Sequence, residues 1–337
     1  MRDLVLRVMP VLRLTRVSKV FAAVANVWFV VLWARAEPAE RMAGGGHVVF
    51  DQPLWLLLLG GAGFGAGLYA YGAVLNDMLD IHRDRALRPD RPLAAGRVSV
   101  EAAVVGVAVT LIAGVLGSTV FGTGVVLLTL LLALAILVFN LVGKFIPAIG
   151  LVLLAAIYAG HMLVPYTGLR FTWPIVVVTT HALLVAGLTH TLRRKSPPIT
   201  RRAALFVFIG WLLVTAGLLT LGWARSGGAG ERTWWPEWVA WETALGPGVL
   251  AVWFAGLALR RIRTYGPGAR AGEKIERYGA VWLPLYASAW LFGEAAFGDV
   301  PWSAGFIMLG LALAAILGTT VLREIYGLAE QPIGFRR

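Results

Sequence analysis

The stretch "LNDMLDIHRDRALRPDRPLAAGRVS", residues 75–99, follows directly on about twenty apolar residues that include "GGAGFGAG" at 60–67. An apolar run of that length, ended by an abrupt burst of charge, marks a helix leaving a hydrocarbon layer. On a helix turning about 100° per residue, Asn76, Asp77, Asp80 and Asp84 all fall within an arc of about 100°. Like charges so crowded repel one another unless a cation joins them. Hard oxygen donors point to Mg²⁺, which commonly binds a few carboxylates together with substrate phosphates. Arg83, Arg85, Arg88, Arg91 and Arg97 follow, and guanidinium groups grip phosphate oxygens two at a time. Acids and bases at one helix mouth therefore fit a metal-bridged diphosphate site.

The rest of the chain agrees with a membrane setting. Of 337 residues, 58% are hydrophobic and 14% charged, a balance foreign to soluble domains. Ten apolar spans are expected, at about 18–35, 53–75, 100–118, 120–140, 147–166, 172–190, 203–223, 243–260, 277–296 and 303–322. The first has no small-residue cleavage site and reads as a span. The expected fold is thus all-α, a single domain over 1–337, a bundle of nine or ten transmembrane helices. There is no cysteine, which excludes disulfides, thiolate nucleophiles and Cys-held metals.

The net charge of +12 has a topological explanation. With the N-terminus cytoplasmic, 25 of the 30 Lys and Arg residues lie on that side, as the positive-inside rule requires. The expectation is a multi-pass cell-membrane protein with the 75–99 loop cytoplasmic, surrounded by membrane lipid and with no nucleic-acid partner. No pattern specifies an oligomeric state. On the opposite side "ERTWWPEWVAWE", 231–242, suits an amphipathic segment at headgroup level. His161, His181 and His190 read as neutral, hydrogen-bonded histidines, and Glu294 as a carboxylate near the outer interface. Tyr69 and Tyr71, one to two turns before Asn76, are candidates for stabilising a carbocation with their rings.

The spacing Asn-Asp-x-x-Asp-x-x-x-Asp at the end of a second span, with the Arg91-Pro92-Leu93 and Gly96-Arg97 trailer, resembles the first aspartate-rich motif of the UbiA superfamily of intramembrane prenyltransferases. The resemblance implies a helical bundle around a central cavity. Asn76, Asp77, Asp80 and Asp84 would hold Mg²⁺, the aspartates would be catalytic, and the prenyl diphosphate would lie with its tail among the helices. The implied reaction moves an isoprenyl group to an acceptor. After the fourth span "FNLVGK" is similar to the family's Tyr-x-x-x-Lys element, with Asn140 in the tyrosine position and Lys144 retained. One helical turn would put these two on a common face, with Lys144 on the diphosphate.

One element departs from the family. Where a second aspartate cluster and a second Mg²⁺ are expected, the chain reads "THTLRRKSPPITRR", 189–202, without a carboxylate. A single Mg²⁺ is therefore expected, with Arg193, Arg194 and their neighbours replacing the second cation on the diphosphate, beside Arg88 and Arg91. In this respect the chain also resembles a divergent, ebo-cluster-type branch. Two alternatives stand beside prenyl transfer: phosphoribosyl transfer to a polyprenyl phosphate within the same superfamily and, favoured by the departure, a non-catalytic lipid-binding or transport protein on a degenerate scaffold.

Overall fold

The computed structural model describes residues 9–36, 48–226 and 232–330. Ten long helices carry the fold: α1 (Val17–Ala36), α2 (Leu54–Leu79), α4 (Val100–Ser118), α5 (Thr123–Leu141), α6 (Pro147–Leu163), α7 (Trp173–Leu192), α8 (Arg201–Ser226), α9 (Leu245–Tyr265), α10 (Ala269–Phe297) and α11 (Trp302–Glu330). A short helix, α3 (Ile81–Leu87), continues from α2. Each of the ten long helices overlies one expected span. Eight of the spans are long and apolar enough to cross a membrane. The other two helices depart from that pattern for different reasons. Helix α6 is apolar but has 17 residues, whereas α10 has 29 and begins with a charged segment, "ARAGEKIER".

Burial divides the helices into an inner and an outer set. Val27, Phe29, Val30, Val31 and Trp33 of α1 are almost fully enclosed, as are Leu283, Tyr286 and Leu291 of α10. Helices α4, α5, α8 and α9 turn Leu, Val and Phe outward instead, Leu213 and Val252 among the most exposed. Side chains this apolar on an outer surface require hydrocarbon as their solvent. Contact between α2 and α4 depends on glycine. A Cβ on Gly67 would overlap the backbone of Gly114, so here the two chains touch main chain to main chain.

Two helices join the ends of the bundle: the chain rises about 20–25 Å from Arg16, just before α1, to Trp33, and along α10 from Glu276 to Trp290. Their far ends meet in an aromatic plug. Trp33 stacks on Phe171 at 5.2 Å and meets Trp290 edge-on at 6.5 Å, while Phe171 contacts Trp235 at 4.9 Å. Over its described residues, 232–242, the segment expected to be amphipathic divides its tryptophans between two faces. Trp234 and Trp241 are 65% and 67% exposed, but Trp235 and Trp238 pack against the core. Trp238 lies 6.1 Å from Trp33. The turn at Pro236, closed by Val239 N–H to Pro236 O at 3.0 Å, lies between the two inward rings, with an outward ring on either side.

Beside the plug, Asn26, Phe29, Met162, Tyr286 and Trp290 pack so closely that no water molecule fits between them. The bundle axis at this level is therefore filled with rings. Glu294, expected near the interface, is 1% exposed and accepts a hydrogen bond from Thr243 Oγ1 at 2.9 Å, which satisfies its buried carboxylate.

Candidate functional site: a charged mouth

Leu54 to Asn76 spans about 33 Å along α2, slightly more than the hydrocarbon thickness, so the acids emerge at its edge. Helix α2 ends at Leu79 and Asp80 caps it before α3 begins. The hydrogen-bond ladder nevertheless continues. Asp80 N–H donates to Asn76 O at 3.0 Å, Asp84 N–H to Asp80 O at 2.7 Å and Arg88 N–H to Asp84 O at 2.7 Å. A continuous i to i+4 ladder keeps the motif on one face despite the break.

The trailer then folds back. Arg97 N–H donates to Pro92 O at 2.9 Å, and Gly96 takes φ +69°, a left-handed conformation natural only to glycine. This turn buries Leu93 with Leu14, Val74, Val98 and Ala103. Anchored by Leu93, Arg91 reaches back over the motif. Its Nη1 lies 3.1 Å from Asp77 Oδ1 and 2.5 Å from Asp84 Oδ2, both aspartates being 5% exposed.

Other elements bring further charge to the same rim. Arg16, just before α1, places Nη2 2.8 Å from Asp77 Oδ1. Lys144 Nζ lies 2.9 Å from Asp80 Oδ1 and 3.3 Å from Asn76 Oδ1, while Asn76 Nδ2 donates to Asp77 Oδ1 at 3.2 Å. Glu276, at the start of α10, pairs with Lys19 and with Arg193 Nη1 at 2.6 Å. Burial alone would raise the Glu276 carboxyl, but Lys19, Arg193 and Lys195 outweigh it and hold it at about 2. Arg193 thereby joins the basic 189–202 loop to the mouth.

Of the residues singled out in the sequence, Asn76, Asp77, Asp80, Asp84, Arg91 and Lys144 form one connected network, and Arg88 and Arg193 share its electrostatic field. Arg194 stands apart. Helix α7 closes with Arg194 N–H to Thr191 O and Lys195 N–H to His190 O, both at 3.1 Å, and Arg194 has φ +48°. That is a Schellman closure with arginine where glycine is usual, and the Arg194 side chain is exposed.

Lys144 also reaches its place differently from the expected route. Helix α5 ends at Leu141, and Lys144 sits in a separate 3₁₀ turn, Gly143–Phe145. Asn140 is buried and donates to Ile136 O at 2.9 Å, without touching Lys144. The two tyrosines diverge as well. Tyr69 stands about 80° around the helix from Asp77 and Tyr71 about 240°. Tyr69 accordingly feels Arg16, Asp77 and Glu276, whereas Tyr71 is packed in the core.

Sequence reasoning missed Arg16, Lys19 and Glu276. Glu276 was detectable as an acid inside a basic run at a span end. Tyr158 on α6 packs, partly buried, against the core. Two of the three histidines carry side-chain hydrogen bonds as expected, whereas buried His161 leaves Nε2 without a partner among the described residues. His181 bonds Gly279 O at 3.1 Å and Tyr286 Oη at 3.3 Å, His190 bonds Pro197 O at 2.9 Å, and His161 stacks on Phe64.

The one Mg²⁺ expected on Asn76, Asp77, Asp80 and Asp84 does not fit these residues as arranged. Each carboxylate already faces a basic side chain, and among the described residues no set of three acids or histidines is placed to hold a metal ion. The physical reason is the approach of Arg16, Arg91 and Lys144, which neutralise the repulsion a cation would otherwise relieve.

No family model matches the chain, and no curated protein matches it. Two solved structures are similar in outline. One concerns digeranylgeranylglyceryl phosphate synthase in membranes: 18% identity, 85% of this chain and 98% of that chain covered, TM-score 0.49. The other is a UbiA homolog from Archaeoglobus fulgidus bound to GPP and Mg²⁺: 14% identity, 94% and 99% covered, TM-score 0.39. At these scores the likenesses add no weight to the reading of the mouth, which stands on its own residues.

Proposed function

We propose that this chain is an intramembrane prenyltransferase that moves an isoprenyl group from a prenyl diphosphate to an acceptor within the membrane. The observation that supports it is a rim where Arg16, Arg91 and Lys144 meet the aspartates and Arg193 meets Glu276, at the end of helices that form an apolar core. A ligand suited to both is an anionic headgroup on a hydrocarbon tail. The orientation that goes with it has the N-terminus and mouth on the cytoplasmic side of the cell membrane.

In this reading the allylic C–O bond breaks, its electron pair leaves with the diphosphate, and guanidinium groups stabilise the departing charge. Tyr69 faces the reacting end of the tail, where its ring stabilises the carbocation. The acceptor's nucleophile forms the new bond to carbon and releases its proton. Asp77, Asp80 and Asp84 hold Arg16, Arg91 and Lys144 in position. The Mg²⁺ that the sequence resemblance implies has no ligand set in this arrangement, and no step here depends on it.

A substrate panel tests the proposal. Purified protein is incubated with radiolabelled prenyl diphosphates, lipid extract and aromatic acceptors, with and without Mg²⁺, and extracted for new labelled lipids. A parallel arm supplies phosphoribosyl diphosphate and polyprenyl phosphate. A labelled prenylated product in the first arm is expected. Product only in the second identifies the phosphoribosyl reaction instead, and product in neither, with binding intact, identifies a lipid-binding protein.

A further inference from the structure

Arg88 is a cation of the mouth that none of the carboxylates described above engages. It follows α3, is half-buried, and among the described residues has no carboxylate within ion-pair distance. Its charged surroundings are mainly Arg91 and Arg193, with Asp84 and Arg16 contributing less. Burial and then these two arginines disfavour its charge. An arginine cannot relieve that by losing a proton at accessible pH, so the remaining relief is an anion.

The charge balance points the same way. Asp77, Asp80, Asp84 and Glu276 face Arg16, Lys19, Arg91, Lys144 and Arg193, with Arg88 and Lys195 beside them. Among the described residues in these contacts, cations outnumber carboxylates. A diphosphate monoester carries about three negative charges near neutral pH. An anionic headgroup therefore meets an excess of positive charge at this rim without a divalent ion. A Mg²⁺ ion seated on the motif would need near-octahedral oxygen ligands and would have to displace Arg91 or Lys144 from the carboxylates.

We propose that the mouth binds the diphosphate headgroup through Arg88, Arg91 and Arg193 without a divalent cation, these guanidiniums taking the bridging role of the metal. This rests on the prenyl diphosphate reading above. Arg91 is shared between the motif and the ligand, so the carboxylates compete with the headgroup for it. Asp77 and Asp84 then act as positioning residues that restrain Arg91, and their removal frees it.

The test is isothermal titration of the full chain in detergent with geranyl thiolodiphosphate, whose sulfur bridge resists ionisation. One buffer contains excess EDTA and the other millimolar Mg²⁺. Affinity in EDTA is expected within about threefold of that in Mg²⁺, ionic screening being the main difference. Arg88→Ala is expected to weaken binding about tenfold or more in both buffers, through loss of charge-assisted hydrogen bonds. Arg88→Lys should recover part of this, and Arg88→Gln replaces the alanine variant if size exclusion shows that Arg88→Ala is misfolded. Asp84→Asn should bind at least as tightly as the parent in EDTA.

Binding that appears only with Mg²⁺, or is lost in Asp84→Asn because Mg²⁺ no longer helps, overturns the metal-free seat and leaves the prenyl diphosphate reading standing. Absence of binding in both buffers removes that reading and this inference together.

Discussion

The two ends of the bundle solve opposite problems with the same two helices. Where α1 and α10 begin, Arg16, Lys19 and Glu276 enter a network of ion pairs; where they end, Trp33 and Trp290 close an aromatic plug. The plug is held by dispersion and ring geometry, which do not depend on pH or salt and leave little empty space. The mouth is held by charges, each of which is costly to bury unless paired. A ligand can replace one partner of an ion pair with another, but it cannot enter a packed ring cluster without a cavity. The difference assigns exchange to the mouth and rigidity to the plug.

The largest effect is expected where that contrast is cut at the mouth. Arg91→Ala leaves the buried Asp84 without its ion-pair partner and takes one of two from Asp77, which should cost about 3–5 kcal/mol of stability by unfolding in detergent. Combining it with Asp84→Asn should recover part of the loss, because the unpaired charge is then removed. At the plug, Trp290→Ala should cost about 3 kcal/mol through lost packing, with little change in headgroup affinity. Equal loss of affinity there would break the division between the ends.

Smaller effects sharpen the comparison. Glu276 has a folded-state pKa of about 2, below its ordinary 4.5, so its stabilising contribution is complete above pH 4.5 and is lost as pH falls through 2. The stability gap between the parent and Glu276→Gln should therefore be constant from neutral pH down to 4.5 and narrow below it. A gap that changed around neutral pH would mean that other groups control the cluster. Arg194→Gly should change stability by less than about 1 kcal/mol, since relief of left-handed strain is offset by chain entropy. Its effect on headgroup affinity should be smaller than that of Arg193→Ala.

What the sequence discloses follows the range of the interactions. The helices were legible because runs such as 100–118 need only local apolar length, and the α2 ladder made Asn76, Asp77, Asp80 and Asp84 legible as one face. Lys144 was found from its place after the fourth span, although the chain reaches it through a separate turn. Arg16 and Glu276 were not found, because their role exists only once α1 and α10 pack beside α2. A count of basic residues by side also treats Arg16 as orientation and ignores Glu276. The inward turn of Trp235 and Trp238 has no periodicity to announce it. The split between Tyr69 and Tyr71 was readable, since residues two apart on a helix face about 200° apart.

A map of the full chain with geranyl thiolodiphosphate bound would examine the mouth itself. Both phosphoryl groups should lie within hydrogen-bonding distance of Arg88, Arg91 and Arg193, with the geranyl chain descending past Tyr69. A headgroup found elsewhere, with Arg91 still closed on Asp77 and Asp84, would show that this rim is structural and that the proposed activity has no seat here.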